Sequence, residues 1–207
     1  EDFAFSSFKG TLTFTGDYPA LVTIGKHAFI YADDTESAIT FGGLPLLKQI
    51  EEMAFYLFNG RLAITGEYPA LETVKAIAFQ SAGNTESAIS FSGLPLLKAI
   101  ETQAFYEFKG TLAIIGAFPA LNEIGENAFF SAGNAGSNID IACTSPSGVG
   151  GIPNASFHSF AGAITSTGVN CSCDSACAPC WVPERPTDEM TCTATTTTTI
   201  LTTATTT

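Results

Sequence analysis

A repeat of 50 residues constrains the fold of this chain more than any other feature of its sequence. Residues 1–10 read EDFAFSSFKG, residues 51–60 read EEMAFYLFNG and residues 101–110 read ETQAFYEFKG. The next ten residues of each unit also match, and the correspondence continues to about residue 140. A fixed period in this range is typical of a solenoid, in which each repeat buries its apolar side against its neighbours.

Each 50-residue unit contains two smaller repeats. The pattern Leu-x-x-Ile/Val-x-x-x-Ala-Phe occurs five times, at residues 21–29, 47–55, 71–79, 97–105 and 121–129. Between these segments lie three-residue runs of alternating character, at 12–14, 39–41, 62–64, 89–91, 112–114 and 139–141. A period of two predicts strands whose first and third residues point inward. The Leu-to-Phe segments are expected to form a short helical turn or an irregular arc.

The spacing between successive strands alternates between a longer and a shorter step, because the loop after every second Ala-Phe pair is longer. Since one repeat cannot bury its own apolar side, we expect the Leu, Ile and Phe positions to form columns along the stack. Six or seven strands at about 4.8 Å each predict a ribbon roughly 30 Å long.

These repeats resemble the BspA-like leucine-rich repeats found in bacterial and protist surface proteins. The resemblance covers about residues 1–141 and rests on the Leu-to-Phe pattern, the short strands and the repeat length. It implies a curved leucine-rich-repeat solenoid of the α/β type, with short strands and little regular helix. It also implies a binding or adhesive role without catalysis.

The rest of the chain divides into three segments after the predicted solenoid at residues 1–141. Residues 142–168 contain a loop and a degenerate terminal repeat, in which Ile152, Phe157, Phe160, Gly162 and Ile164 keep nearly the earlier spacing. Residues 169–192 are predicted to form a Cys-rich cap, and residues 193–207 are a Thr-rich tail.

All six cysteines lie in the C-terminal third of the chain, at Cys143, Cys171, Cys173, Cys177, Cys180 and Cys192. An even number of cysteines in a Gly-, Ser- and Pro-rich stretch predicts a disulfide framework, although six cysteines allow 15 pairings. The alternative is a zinc site, because C-x-C-x3-C-x2-C offers four thiolates. A disulfide-linked cap would cover the apolar end and the strand edge of the last repeat.

Predicted glycosylation sites place the protein outside the cell or on its surface. Asn154 and Asn170 lie in Asn-x-Ser sequons. Residues 191–207 contain 12 threonines in 17, which is typical of an O-glycosylated stalk, and a disordered linker is the alternative. The tail positions predicted to carry glycans are Thr195, Thr196, Thr197, Thr198, Thr199, Thr202 and Thr203.

Charge and motifs argue against several classes of function. A net charge of −12 disfavours binding to nucleic acids and to anionic membranes. No transmembrane helix is predicted, because no apolar run approaches the length of about 20 residues that spans a bilayer. His27 and His158 lie in no recognisable catalytic spacing, and we expect no enzyme activity, cofactor or metal site. Asp33, Asp34 and Glu36 offer at most a weak Ca²⁺ site.

The outward middle residues of the predicted strands are small and mostly uncharged. They are Thr13, Thr40, Ala63, Ser90, Ala113 and Asp140. A face of this kind suits close packing against another flat surface or a carbohydrate layer, and a plain solvated face is the alternative. The row is therefore predicted to be an interaction face.

Two functions follow from these features. The first is a non-enzymatic, glycosylated structural subunit that self-associates, head to tail or laterally, into a surface filament or matrix. The second is an adhesin-like module on a Thr-rich stalk that binds an extracellular protein or glycan. The sequence begins within a repeat, so we expect its first strand edge to be covered by preceding residues or by another copy.

Overall fold

Two parallel β-sheets wind together into a solenoid in a computed structural model that describes residues 1–14, 18–32, 35–142 and 156–165. Every strand pair is parallel, and five successive turns of the chain each contribute one strand to each sheet. The repeat solenoid predicted from the sequence is confirmed. The sequence predicted an α/β-type repeat with little regular helix; the fold is a parallel β-solenoid, and these four ranges contain no helix. Accordingly, no helix among them could cross a membrane.

The long sheet contains the strands that the alternating runs predicted. In spatial order it comprises β1 (Thr13–Phe14), β3 (Ala38–Phe41), β5 (Arg61–Glu67), β7 (Ala88–Ser92), β9 (Thr111–Ala117), β11 (Asn138–Ala142) and β12 (Ala163–Thr165). Its buried residues alternate with more exposed ones, as in β7, where Ile89 and Phe91 are buried. The strand β12 belongs to the segment that the sequence identified as a degenerate repeat.

The short sheet was missed by sequence reasoning. It comprises β2 (Thr23–Ile24), β4 (Gln49–Ile50), β6 (Thr73–Val74), β8 (Ala99–Ile100) and β10 (Glu123–Ile124). Each strand is only two residues long and lies inside a Leu-to-Phe segment, so it shows no period-two pattern. Its register follows the repeat, with Ile24 opposite Ile50 and Ile50 opposite Val74.

The rest of each Leu-to-Phe segment forms an arc of overlapping β-turns rather than a helix. In the second turn of the solenoid, alternate amides donate to carbonyls of the next turn, from His27 to Glu52 at 3.1 Å, Phe29 to Ala54 at 2.7 Å and Tyr31 to Tyr56 at 3.0 Å. These amides are therefore unavailable for the i to i−4 bonds of an α-helix. The arcs form a third hydrogen-bonded side of the solenoid.

A column of phenylalanine rings fills the core beside the arcs. Adjacent rings are stacked with centroids 5.0 to 5.4 Å apart and planes within 8° of parallel, in the order Phe5, Phe29, Phe55, Phe79, Phe105, Phe129 and Phe157. Leu71, Val74 and Phe79 are each buried, as the column prediction requires. The repeated Ala-Phe pair is thus a packing element of the solenoid.

In a second column along the stack of turns, glycine residues alternate with buried serine residues. A Cβ at Gly60, Gly110 or Gly162 would overlap the carbonyl oxygen of Ser37, Ser87 or Ser137, respectively. The hydroxyl oxygens of the same serines accept hydrogen bonds from the amides of Leu12, Leu62 and Leu112, at 3.1, 2.9 and 2.9 Å. Each serine therefore links the turns on both sides of it.

Candidate interaction surfaces

The predicted strand face is present, but its residues do not form a single row. Thr40 lies opposite Ala63, and Ser90 lies opposite Ala113, as equivalent positions of the repeat. On its other side, however, Ala63 lies opposite Ala88 rather than Ser90. Each longer step of the repeat shifts the strand pairing in this way. The predicted row is therefore divided by slippage of the register.

Two staggered rows of mostly small residues replace the predicted one. The first contains Thr40, Ala63, Ala88 and Thr111, and the second contains Thr65, Ser90, Ala113, Asn138 and Ala163. Asp140 lies one step further along, opposite Ile115, which is 43% exposed. Thr13 pairs with Ala38 at the edge of the long sheet.

Large apolar side chains lie on the arcs, a surface that sequence reasoning did not select. We define the turn-face cluster as Phe3, His27, Tyr31, Met53, Tyr56 and Leu57. The rings of Phe3 and His27 are stacked at 4.6 Å, and His27 Nε2 lies 3.2 Å from Met53 Sδ. Tyr31 and Tyr56 meet edge to face at 5.5 Å, and the Tyr56 amide donates to the Met53 carbonyl at 3.2 Å. Side-chain contacts therefore join Phe3, His27 and Met53 in one group and Tyr31 and Tyr56 in another.

The backbone of each of the first six arcs enters the left-handed region twice, and the described part of the last arc does so once. The positions with φ between 50° and 63° are Phe3, Ser7, His27, Tyr31, Met53, Leu57, Ile77, Ser81, Gln103, Glu107, Asn127, Ser131 and Ser159. Among residues other than glycine, Asn, Asp and His are enriched in this region, and a β-branched residue such as Ile77 is an outlier there. The residue types at these positions gave no signal of this conformation.

Ion pairs connect neighbouring turns near the cluster. Lys26 Nζ lies 2.6 Å from Glu52 Oε2, and Lys75 Nζ lies 2.9 Å from Glu101 Oε1. The hydrogen bond from Lys26 lowers the pKa of Glu52, and the same bond raises the pKa of Lys26. Because both side chains are more than a third exposed, solvent screening keeps the contribution of this pair to stability small.

The two histidines occupy different surroundings. His27 lies within the turn-face cluster, and its Nδ1 atom is buried without a hydrogen-bond partner. His158 is exposed, stacks on Phe130 at 5.1 Å and has Nδ1 3.0 Å from Ser159 Oγ. Among the described residues, no three His, Cys, Asp or Glu side chains are grouped to hold a metal ion.

An apolar cleft opens at the first turn of the solenoid. Its lining includes Phe5, Tyr18, Leu21, Ile24 and Phe29, which belong to the same columns that are closed in later turns. The lining also includes Glu1 and Thr23, and the rest of it is mainly apolar.

Several predicted sites lie outside the described residues. They are the six cysteines, from Cys143 to Cys192, both sequon asparagines Asn154 and Asn170, the threonines of the tail, and Asp33 and Asp34. Disulfide formation, zinc binding and glycosylation at these positions stay predictions.

No protein-family model matches this chain, and searches of curated proteins and of solved structures find no match either. The resemblance to BspA-like repeats therefore stays a prediction from the sequence pattern.

Proposed function

We propose that this chain is a non-enzymatic, extracellular structural subunit that self-associates into a surface filament or matrix. The observation that supports this most is the outward face of the long sheet, where two adjoining rows consist mainly of Ala, Ser and Thr. Small side chains allow two such faces to approach closely, with little loss of side-chain entropy on contact.

The strand order supports a second mode of self-association. Within the described residues, β1 and β12 are the edge strands of the long sheet. An edge strand presents amides and carbonyls that can pair with a strand of another copy, which is the head-to-tail mode of this proposal. The extracellular location, the glycan-bearing tail and the BspA-like family are parts of this proposal that rest on the sequence alone.

Charged substitutions on the strand face test lateral association. The proposal predicts large species for wild type in sedimentation velocity. We expect Ala63→Arg with Ala113→Arg to reduce them, because two guanidinium groups would have to be buried in the contact. The charge-matched control is Asn122→Arg with Thr102→Arg, at exposed positions off that face. A wild-type chain that sediments as a monomer at high concentration would refute the proposal.

An adhesin-like binding module is the second candidate function. The observation that favours it is the turn-face cluster, because aromatic and Met side chains contribute most of the binding energy in protein interfaces. It predicts that substitutions in this cluster reduce partner binding and leave self-association unchanged.

A further inference from the structure

A row of alternating alanine and leucine lies beside the short sheet. Leu46 is the third residue of a β-turn that is closed by a hydrogen bond from the Leu47 amide to the Leu44 carbonyl, at 3.1 Å. The short sheet keeps one register through all five strands, so the equivalent positions form a straight row, which we call the Leu-Ala row: Ala20, Leu46, Ala70, Leu96 and Ala120. Leu46 and Leu96 are 51% and 48% exposed. Two turns separate them, so these leucines project about 10 Å apart with one alanine between them.

A second exposed row runs two residues further along the chain. Each of its amides donates to the carbonyl of the preceding member, at 2.8 to 2.9 Å, in the order Val22, Lys48, Glu72, Lys98 and Asn122. Lys98 Nζ lies 2.6 Å from Glu72 Oε2, whereas Lys48 forms no ion pair among the described residues. Each lysine accompanies a leucine of the Leu-Ala row, and Glu72 accompanies an alanine. Size and charge therefore alternate together from turn to turn.

This alternation makes the surface complementary to itself. A twofold axis parallel to the strands reverses the order of the turns and places each row over the same row of a second copy. When Leu46 lies over Ala70 of the second copy, Leu96 lies over its Ala20. In the same arrangement Lys48 lies over Glu72 of the second copy, and the reverse pair forms as well.

The neighbouring offsets are disfavoured by the same alternation. A shift by one turn places leucine over leucine and lysine over lysine, which leaves gaps above the alanines and brings like charges together. A shift by two turns restores the fit of leucine over alanine, but it places Glu72 over Lys98, which already has a partner within its own chain. The unpaired Lys48 therefore selects the first arrangement.

We propose that the Leu-Ala row and the charged row beside it bind a second copy of this chain through a twofold contact. The exposed leucines fill the spaces above alanines of the other copy, and two Lys48–Glu72 pairs flank them. This inference rests on the proposed self-association and adds a contact to it. Because the lateral contact uses the long sheet and this one lies beside the short sheet, one subunit can form both.

The test of the leucines uses the full chain with Ala63→Arg and Ala113→Arg, which removes the lateral contact. We expect this background to form dimers in sedimentation equilibrium at physiological salt. Adding Leu46→Ala with Leu96→Ala should raise the dissociation constant of the dimer about tenfold or more, because four exposed leucines lose their burial. The fold should persist, since the same position holds alanine in three other turns.

The matched control in this background is Tyr31→Asn, which removes a side chain that is 48% exposed on the arcs. Asn tolerates the left-handed backbone at this position. We expect this control to dimerise as the background does. A background that sediments as a monomer, or equal dissociation constants with and without the two leucines, would overturn the proposal.

Charge reversal tests the pairing of Lys48 with Glu72 across the contact. In the same background, Lys48→Glu alone and Glu72→Lys alone should each weaken the dimer about fivefold, because each places like charges opposite one another. An equal mixture of these two variants should recover the dimer, because each supplies the charge that the other has lost. Lack of recovery in the mixture would show that Lys48 does not face Glu72 and that the proposed contact is wrong.

The wild-type chain separates this inference from the proposed function. If wild type forms dimers only, and Leu46→Ala with Leu96→Ala dissociates them, the twofold contact stands and the filament proposal fails. If wild type forms large species but the Ala63→Arg, Ala113→Arg background is monomeric, the filament proposal stands and the twofold contact is overturned.

Discussion

Tyr68 shows that one position of the repeat can hold different side chains while the backbone fold stays the same. Its ring is fully buried, and its hydroxyl donates to the Gly42 carbonyl at 3.1 Å, with the Thr65 carbonyl at 3.2 Å. Two turns later the same position holds Phe118, which has no hydroxyl. Burial raises the pKa of Tyr68 above its ordinary value of 10.0. The native state therefore binds the phenolic proton of Tyr68 more tightly than the unfolded chain does.

The pKa of Tyr68 predicts a loss of stability at alkaline pH. A folded pKa above the unfolded one contributes stability that is fully present below pH 10 and is lost as pH rises further. We expect Tyr68→Phe to cost about 1 kcal/mol at pH 7, the typical net value of a hydrogen bond. Above pH 10 the free energy of unfolding should fall less steeply for the variant than for wild type. Parallel curves in urea denaturation between pH 9 and 11 would contradict this assignment.

At the scale of elements, the glycine–serine column holds adjacent turns in register. The Thr111 amide donates to the Ser87 carbonyl at 2.9 Å, directly beside Gly110. A methyl group at Gly110 would overlap that carbonyl oxygen, so the two turns would have to separate. Gly136 offers a matched comparison, because it is exposed and the equivalent positions hold Glu36 and Glu86.

We therefore expect Gly110→Ala to destabilise the solenoid by about 2–3 kcal/mol, the usual range for overpacking. Gly136→Ala should change stability by less than about 0.5 kcal/mol. The measurement is the midpoint of urea unfolding followed by circular dichroism. Equal midpoints for the two variants would show that the column does not hold the turns together.

Elements whose pattern is long enough could be predicted from the sequence. The strands of the long sheet follow from alternating runs such as Leu62-Ala-Ile64, and the phenylalanine column follows from the recurring Ala-Phe pair. The glycine–serine column was equally visible, since Ser37, Ser87 and Ser137 recur once in each unit of the repeat, but its role depends on contacts between turns.

Other features of the fold leave no recognisable pattern in the amino-acid sequence. Two-residue strands such as Thr73–Val74 are too short for periodicity, and residues such as Ile77 are poor indicators of a left-handed backbone. The predicted face residues do not form a single row, because the difference in loop length shifts the register between neighbouring strands. Only the strand pairing reveals this shift. The turn-face cluster was missed because its positions vary from one repeat to the next.

In the described part of the chain, the paired strands of both sheets come from adjacent turns. Both sheets, the arcs and the phenylalanine column extend in the same direction, so each turn offers its neighbour the same set of bonds and apolar positions. Such a structure grows by addition of similar units, either along its axis or side by side. This geometry is compatible with the proposed structural function.

Negative-stain electron microscopy of the purified wild-type chain tests the central claim of self-association most directly. The account predicts filaments or sheets of uniform width that become rarer when Ala63→Arg and Ala113→Arg are introduced. Isolated short particles at every concentration, with no difference between wild type and this variant, would contradict it.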